Sequence, residues 1–584
     1  MKLSDYVWKY VEELGVRHVF MFPGGGAMHL VDSLGRNDNL EYVTLLHEQA
    51  CAMAAETYSR IDYNLGVALV TTGPGGTNAI TGVAAAWLES TPMLVISGQA
   101  KLSDLKDGYG VRQRGNQEIG IVDIVSSITK YAVMVKNPQE IRYHLERAIY
   151  EAKSGRPGPV WLDIPLDVQA AEIDAATLIG FIHEEEKDSG EEILQKQVSK
   201  VVELLKESKK PVIIAGQGIE RNNGKAVLRR LVEQLRIPVL FSWIAVELME
   251  FEHPCNLGKP GMVAPRYSNF AMQDSDLVIA IGTRLDPAMI GYDSADFAPN
   301  AKKVIVDIDA SELDKFPFEI ELKVQADATS FIKKLAENTV NICLDYAVEE
   351  WLKQCQIWKR EYPILLEDFK IDMGAVNPYF FIDTLSSELS DDDVVIPGSS
   401  GAGIDVFWLA IRNKRNQRML ATGSLGSMGY GIPAAIGACL AAGKRTVCIE
   451  GDGSLQLNIQ ELASIAGMRL PIKIFINGNG GYLSIMNMQR GHFNGNFVGA
   501  NSGSHLYFPD ILAVAKAYGL KTFEIKTHEE TQATICKVLA SDGPSLCYVH
   551  MRDDVAIQPK VLSRVAENGS MASGKLRDLW PFLE

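Results

Sequence analysis

Apolar runs of three to six residues, many of them β-branched, alternate with stretches of helical spacing in three successive blocks. In the first block the runs are Val19–Phe22, Gly66–Thr71, Met93–Ser97 and Val160–Ile164. The second has Val212–Ala215, Val239–Phe241, Leu277–Ile281 and Val304–Ile308, and the third has Val394–Ile396, Thr446–Ile449, Ile472–Ile476 and Leu546–Val549. Continuous apolar runs predict strands buried on both faces, hence parallel sheets covered by helices. At the amino end Leu3, Val7, Tyr10 or Val11, and Leu14 recur at helical spacing among Asp5, Lys9, Glu12 and Glu13. That pattern predicts an amphipathic helix and argues against a signal peptide.

The charged stretch HEEEKDSGEE (183–192) reads as a solvated linker, and 345–372, rich in Trp, Lys and Glu, as a helical connector. Residues after Arg552 carry no strand signal and read as a tail over the surface. The expected fold is therefore α/β, with three consecutive domains at 1–175, 193–342 and 373–552 and a tail at 553–584.

Charge and cysteine usage narrow the function classes. The 584 residues hold 57 Lys and Arg against 73 Asp and Glu, a net charge of −16 with no basic block. This argues against nucleic-acid or anionic-membrane partners. The uncharged span 419–443 is long enough to cross a bilayer, but six glycines and Pro433 argue against a membrane helix. Eight cysteines form no CxxC pair, which suits reduced core thiols in a cytoplasmic protein.

The strongest motif lies in the third block. The strand run Thr446–Glu450 ends in Gly451-Asp452-Gly453-Ser454, and the next strand ends in Asn477-Gly478-Asn479-Gly480-Gly481. Loops at the carboxyl ends of adjacent parallel strands share one crevice, so Asp452 and Asn479 can face each other. A hard divalent cation takes oxygen ligands of this kind, with phosphate oxygens completing an octahedron. Gly453 permits close approach of a phosphate, and a following helix N-terminus favours its charge.

GDGS followed by NGNGG resembles the signature of the thiamine diphosphate (ThDP) enzymes. The resemblance implies that Asp452, Asn479 and the Gly481 carbonyl hold Mg²⁺, although Gly478 stands where the family has the first Asn of a pair. GSLGSMGYGIPAAIGA (423–438) is similar to the loop that carries the aminopyrimidine, which implies contacts from Gly426 and Met428, with Ser399, Gly453 and Ser454 at the same cofactor. HEQACAMAAETYSR (47–60) is where the acetolactate synthase group keeps its catalytic carboxyl, here Glu48. TTGPGGTNAITG (71–82) and the turn Pro23-Gly24-Gly25-Gly26 are similar to further cofactor segments, implying roles for Pro23, Thr72 and Asn78.

In the middle block GQGIER (216–221), GTRLD (282–286) and VDIDASE (306–312) resemble segments that hold FAD in that group. Gly216, Arg284, Asp307, Ile308 and Asp327 are the implied flavin contacts. The family architecture implies at least a homodimer, since a cofactor lies between the first domain of one subunit and the third of another.

The implied reaction is decarboxylation of a 2-keto acid, pyruvate, followed by transfer of the acyl unit to a second carbonyl compound. Gly25, Gly26 and Gln117 would line the substrate channel. Three positions depart from acetolactate synthases: Asn116 replaces Phe, Ala288 in RLDPA replaces a carboxylate-binding Arg, and Met488 replaces an acceptor-selecting Trp. These departures point to a ketone, diketone or keto-sugar acceptor. The alternatives are a true acetolactate synthase, a simple decarboxylase, a flavin-linked pyruvate oxidase and a non-catalytic paralogue.

Overall fold

The computed structural model describes residues 1–183, 190–220, 224–399, 402–565 and 571–583. The centre of the expected linker, 184–189, and Arg221 of the middle motif lie outside the described residues.

Three parallel sheets follow one another along the chain. The first contains β1 (His18–Met21), β2 (Glu41–Thr44), β3 (Gly66–Val70), β4 (Met93–Gln99), β5 (Tyr131–Met134) and β6 (Pro159–Pro165) in the order β2-β1-β3-β4-β6-β5. The second contains β7 (Pro211–Ala215), β8 (Val239–Phe241), β9 (Leu277–Ile281), β10 (Lys302–Asp307) and β11 (Leu322–Gln325) in the order β11-β10-β9-β7-β8. The third contains β12 (Val394–Pro397), β13 (Arg418–Met419), β14 (Thr446–Gly451), β15 (Ile472–Gly478), β16 (Lys521–Ile525) and β17 (Ser545–His550) in the order β13-β12-β14-β15-β17-β16. The first and third sheets thus share one topology. In both, the third and fourth strands lie at the centre, so the loops after β3 and β14 open onto equivalent crevices.

All twelve expected strands are present. The central ones are buried at every residue, as in β3, β4, β9, β14 and β15, which is why they read as unbroken apolar runs. The amphipathic first helix, Leu3–Glu13, buries Leu3, Val7, Trp8 and Val11. The connector forms the helix Tyr346–Glu361. Residues 419–443 end in the helix Gly431–Ala442, and no helix among the described residues is long and apolar enough to cross a membrane.

The tail corrects the sequence expectation. It forms an antiparallel pair, β18 (Ser563–Val565) and β19 (Met571–Ser573), and then buries Leu576 and Leu579. Arg266 donates to the Leu579 carbonyl at 2.8 Å and Asn269 to the Leu576 carbonyl at 2.6 Å, fastening the tail to the middle domain. Strands of three residues are too short to display alternation, so the hairpin left no sequence signal.

The first and third domains share a core. The helix Glu48–Asp62 lies between the helices Pro74–Leu88 and Gly431–Ala442, and nearly all of its residues are buried. Small side chains permit this approach: Ala50, Ala54, Ala434 and Ala438 belong to one buried cluster, and a Cβ on Gly437 would overlap the Ala54 carbonyl.

Candidate active site

Two groups of residues gather at the carboxyl ends of the first and third sheets. In the third domain, β14 delivers Asp452 directly into the short helix Asp452–Leu455, so the chain turns helical at the motif itself, ahead of the expected helix. The Asp452 carboxylate is buried, 1% exposed, and accepts N–H groups of Gly453 at 2.8 Å and Gly480 at 2.6 Å. Burial pushes its pKa up to about 7 against the opposing pull of these N–H groups. No Lys or Arg among the described residues forms an ion pair with it.

The Asn479 side-chain amide sits 2.7 Å from the Gly481 carbonyl oxygen, donating its N–H to it. Adjacent ligands of an octahedral Mg²⁺ with bonds of about 2.1 Å lie about 3 Å apart. The amide end and the carbonyl therefore have the spacing of two neighbouring ligands, provided the amide turns its oxygen toward the cation. A buried carboxylate without a positive partner, next to this pair, fits a divalent cation. No cluster of three or more His, Cys, Asp or Glu with metal-binding geometry occurs among the described residues, so Asn and backbone oxygens must complete any such site.

The remaining residues of this group converge on the same loops. Ser399 donates to the Gly426 carbonyl at 2.8 Å, and the Gly429 N–H donates to Ser454 Oγ at 2.9 Å. Gly426 has φ +63°, which favours glycine. Met428 is half-buried beside it. A Cβ on Gly453 would lie 2.5 Å from the Tyr482 ring. An open cavity of about 520 Å³ beside the metal loop is lined by Asn479, Gly480, Met486, Phe497, Asn501 and Asp553, among others.

In the first domain, Glu48 opens its helix behind the His47 cap and is buried, 6% exposed. Asn78 donates to Glu48 Oε2 at 3.0 Å. The turn Pro23–Gly26 packs on Thr71 and Thr72, so closely that a Cβ on Gly26 would overlap the Thr72 hydroxyl. The hydroxyls of Thr71 and Thr72 are buried without a partner in the protein. Gln117 reaches the turn that follows β3: a Cβ on Gly73 would lie 2.5 Å from the Gln117 carbonyl. Gln49 accepts an N–H bond from Asn458 at 3.0 Å, a link between the two groups within one chain.

A third site lies among the three domains. A cavity of about 700 Å³, within the usual range for cofactor sites, is lined by Arg284, Asp307, Ile308 and Asp327 and by Gln217 and Gly218, next to Gly216. Gly216 is needed there, because a Cβ would overlap the Gly282 carbonyl. Arg284 donates to Ser424 at 2.8 Å, and Ser424 lies two residues before Gly426. Burial raises the Asp307 pKa. Arg60 Nη2, Gln217 Oε1 and Glu220 Oε2 are buried there without partners.

Three family models match in chain order. They are the thiamine pyrophosphate enzyme N-terminal TPP binding domain (residues 1–126), central domain (198–335) and C-terminal TPP binding domain (401–549). The chain belongs to the thiamine diphosphate enzymes. Within this family it is similar to acetolactate synthases. The mitochondrial acetolactate synthase of Schizosaccharomyces pombe is 32% identical over 571 residues, covering 94% of this chain and 82% of that protein. The large subunit of Corynebacterium glutamicum is 33% identical over 565 residues, covering 94% and 87%. The isozyme 1 large subunit of Escherichia coli is 29% identical over 564 residues, covering 96% and 95%.

Two residues of this ThDP enzyme escaped the sequence reading. Glu450 is fully buried, accepts N–H groups of Gly451 at 2.9 Å and Gly431 at 3.1 Å, and is raised to about pH 7 by burial. It ties the GDG loop to the start of the helix Gly431–Ala442. Its only signal was an acid at the end of an apolar strand. Tyr548 fills the space that a side chain at 478 would need, since a Cβ on Gly478 would overlap its ring. That accounts for the Gly at this position of the motif. Asn116, Ala288 and Met488 lie on three separate domains; Met488 is 44% exposed, and Ala288 lines the large cavity.

Proposed function

We propose that this enzyme decarboxylates a 2-keto acid, pyruvate, and joins the acyl unit to a second carbonyl compound. The observation that carries the reading is the buried Asp452 carboxylate, paired with no Lys or Arg among the described residues, beside the Asn479–Gly481 pair, with Glu48 buried at the head of its own helix. Asp452, Asn479 and the Gly481 carbonyl would hold Mg²⁺, with Gly453 and Ser454 at the diphosphate. Gly426, Met428, Pro23, Thr72 and Asn78 would hold the rest of ThDP. When bound, ThDP supplies the electron sink for loss of carbon dioxide. Glu48 holds a proton against the pyrimidine, Asn78 fixes the carboxyl that does so, and Gly25, Gly26 and Gln117 orient the keto acid.

The large cavity is the place for FAD, and the four motif residues that line it and its unpartnered polar groups support that assignment. A homodimer would complete the site. Met28 and Leu46 stand exposed near the Glu48 group, as Ile485, Met488 and Phe493 do near the metal loop, and such apolar groups call for a covering surface.

The names of the relatives favour pyruvate as acceptor and acetolactate as product, over the neutral acceptor that the three departures suggested. One observation keeps the neutral acceptor as a second reading. Position 288 offers no guanidinium, and two arginines that line the same cavity are engaged, Arg284 by Ser424 and Arg156 by Asp309 and Glu312. The test is competition: pyruvate is supplied alone and with neutral ketones, diketones or keto-sugars. Acetolactate as the dominant product throughout establishes the first reading, and preferential coupling to a neutral carbonyl establishes the second. Asp452→Ala should abolish ThDP binding at micromolar concentration. Unchanged affinity by calorimetry, with and without chelator, would refute the whole assignment.

A further inference from the structure

Gln117 sits in a long irregular loop. Between the 3₁₀ turn Leu102–Asp104 and the helix Ile121–Val125 there is no regular element, and Arg112, Gln113, Arg114, Asn116 and Gln117 are all exposed. Gln117 also has φ +58°, the left-handed region, which costs a non-glycine residue about 1 kcal/mol or more. Something must hold it there.

The next residue, Glu118, is buried, 6% exposed. Its carboxylate accepts the Lys106 N–H at 2.6 Å on one oxygen. The other oxygen accepts the N–H groups of Arg114 at 2.9 Å and Gly115 at 3.0 Å. One side chain thus joins both limbs of the loop. Gln113 donates to the Glu118 carbonyl at 3.1 Å, and Gln99 donates to the Ile119 carbonyl at 2.9 Å. Hydrogen bonds to an ionised acceptor are about twice as strong as neutral ones. Burial pushes the Glu118 carboxyl up, but the backbone N–H groups outweigh it and hold the group below its ordinary value, so it is charged at neutral pH.

The clamp has a direction. Residues 106 and 114–115 are fixed relative to 118, and Gln117 is pressed against Gly73, whose turn starts the helix that carries Asn78 and so reaches Glu48. We propose that Glu118 is a positioning residue, whose carboxylate clamps the loop 106–118 and thereby sets Gln117 in the substrate channel. The proposal rests on the assignment of Gln117 to that channel.

The experiment uses the full-length enzyme with ThDP and Mg²⁺, in the variants Glu118→Ala, Glu118→Gln, Gln117→Ala and Glu118→Ala with Gln117→Ala. Trypsin reads the clamp without any substrate, because Lys106, Arg112 and Arg114 lie in the loop. Cleavage there should quicken about tenfold in Glu118→Ala and less in Glu118→Gln, which keeps one acceptor oxygen. Pyruvate kcat/KM should fall about tenfold or more in Glu118→Ala, with ThDP affinity and thiazolium deuterium exchange within about twofold of wild type. In the Gln117→Ala background the same change should cost less than about twofold, since a residue acting through Gln117 has nothing left to position. Unchanged cleavage overturns the clamp. Equal losses in both backgrounds, or a parallel loss of ThDP affinity, overturn the positioning role. A Gln117→Ala enzyme with wild-type kcat/KM sinks the channel assignment, and the positioning role with it, a failure distinguishable from that of the clamp because the trypsin result does not involve substrate.

Discussion

Asp163 offers a sharp test of how burial sets charge in this molecule. It lies on β6, between β4 and the edge strand β5, fully buried, and accepts the Ser97 hydroxyl at 2.6 Å and the Gln99 amide at 2.9 Å. Burial raises its pKa from 3.8 to about 7, with both hydrogen bonds pulling the other way. The sign follows from linkage. Between pH 3.8 and 7 the unfolded chain has lost this proton and the folded chain has kept it, so folding loses stability as pH rises through that window. The full penalty, about 3 pKa units at 1.36 kcal/mol each, is about 4 kcal/mol above pH 7. Asp163→Asn removes the titration at nearly constant shape. Its oxygen can still accept from Gln99 and its amide can donate to Ser97 Oγ, as the protonated carboxyl of the wild type must below pH 7. The variant should therefore be about as stable as wild type near pH 4 and about 4 kcal/mol more stable at pH 8. Melting curves of both proteins from pH 4 to 8 read this directly: the difference in Tm should grow from near zero at pH 4 to several degrees at pH 8. The other buried carboxyls, Glu450 among them, titrate alike in both proteins and cancel. A Tm difference that is flat across the range would show that Asp163 is already ionised in the fold.

Glu48→Gln should keep ThDP bound but slow thiazolium deuterium exchange by about 10²–10⁴-fold, and near-wild-type exchange by NMR would remove Glu48 from the chemistry. Gly478→Asn should destabilise the third domain by about 1–3 kcal/mol because the new side chain meets Tyr548. Tyr548→Ala in the same chain should recover most of that loss in denaturant titration, and no recovery would mean that the clash is elsewhere. The purified enzyme should release FAD on denaturation, and Arg284→Ala should weaken its retention; colourless protein that takes up no FAD from excess would leave the large cavity to another ligand.

Legibility in the sequence followed burial. The twelve strands read from apolar runs were the well-covered ones. Within the three parallel sheets the five that carried no such signal, β2, β5, β11, β13 and β16, all lie at sheet edges. There only one or no residue points to the core: Val43 in β2, Val324 in β11 and Ile525 in β16, with β5 half-buried throughout. An edge strand with a single inward residue has no periodicity to read. The site divides in the same way. Asp452, Asn479 and Glu48 stand in local motifs that a spacing argument can reach. The clamping bonds of Glu118 and the Gly478–Tyr548 exchange depend on partners brought in by folding. Tyr548 comes from β17, two residues before the His550 that pairs with Gly478.

The shared core of the first and third domains also bears on how the molecule is made. The helix Glu48–Asp62 emerges early, yet its partner Gly431–Ala442 follows about 370 residues later, about 20–70 s at ordinary rates of synthesis. Until then the first domain carries an uncovered helix face that includes Ala54 and Thr57, and no local contact can close it. Each nascent chain therefore passes through a period in which its earliest domain is adhesive and incomplete. A chaperone that occupies this face, or slow ejection of the final third, would govern the yield of active enzyme more strongly than the stability of the finished fold.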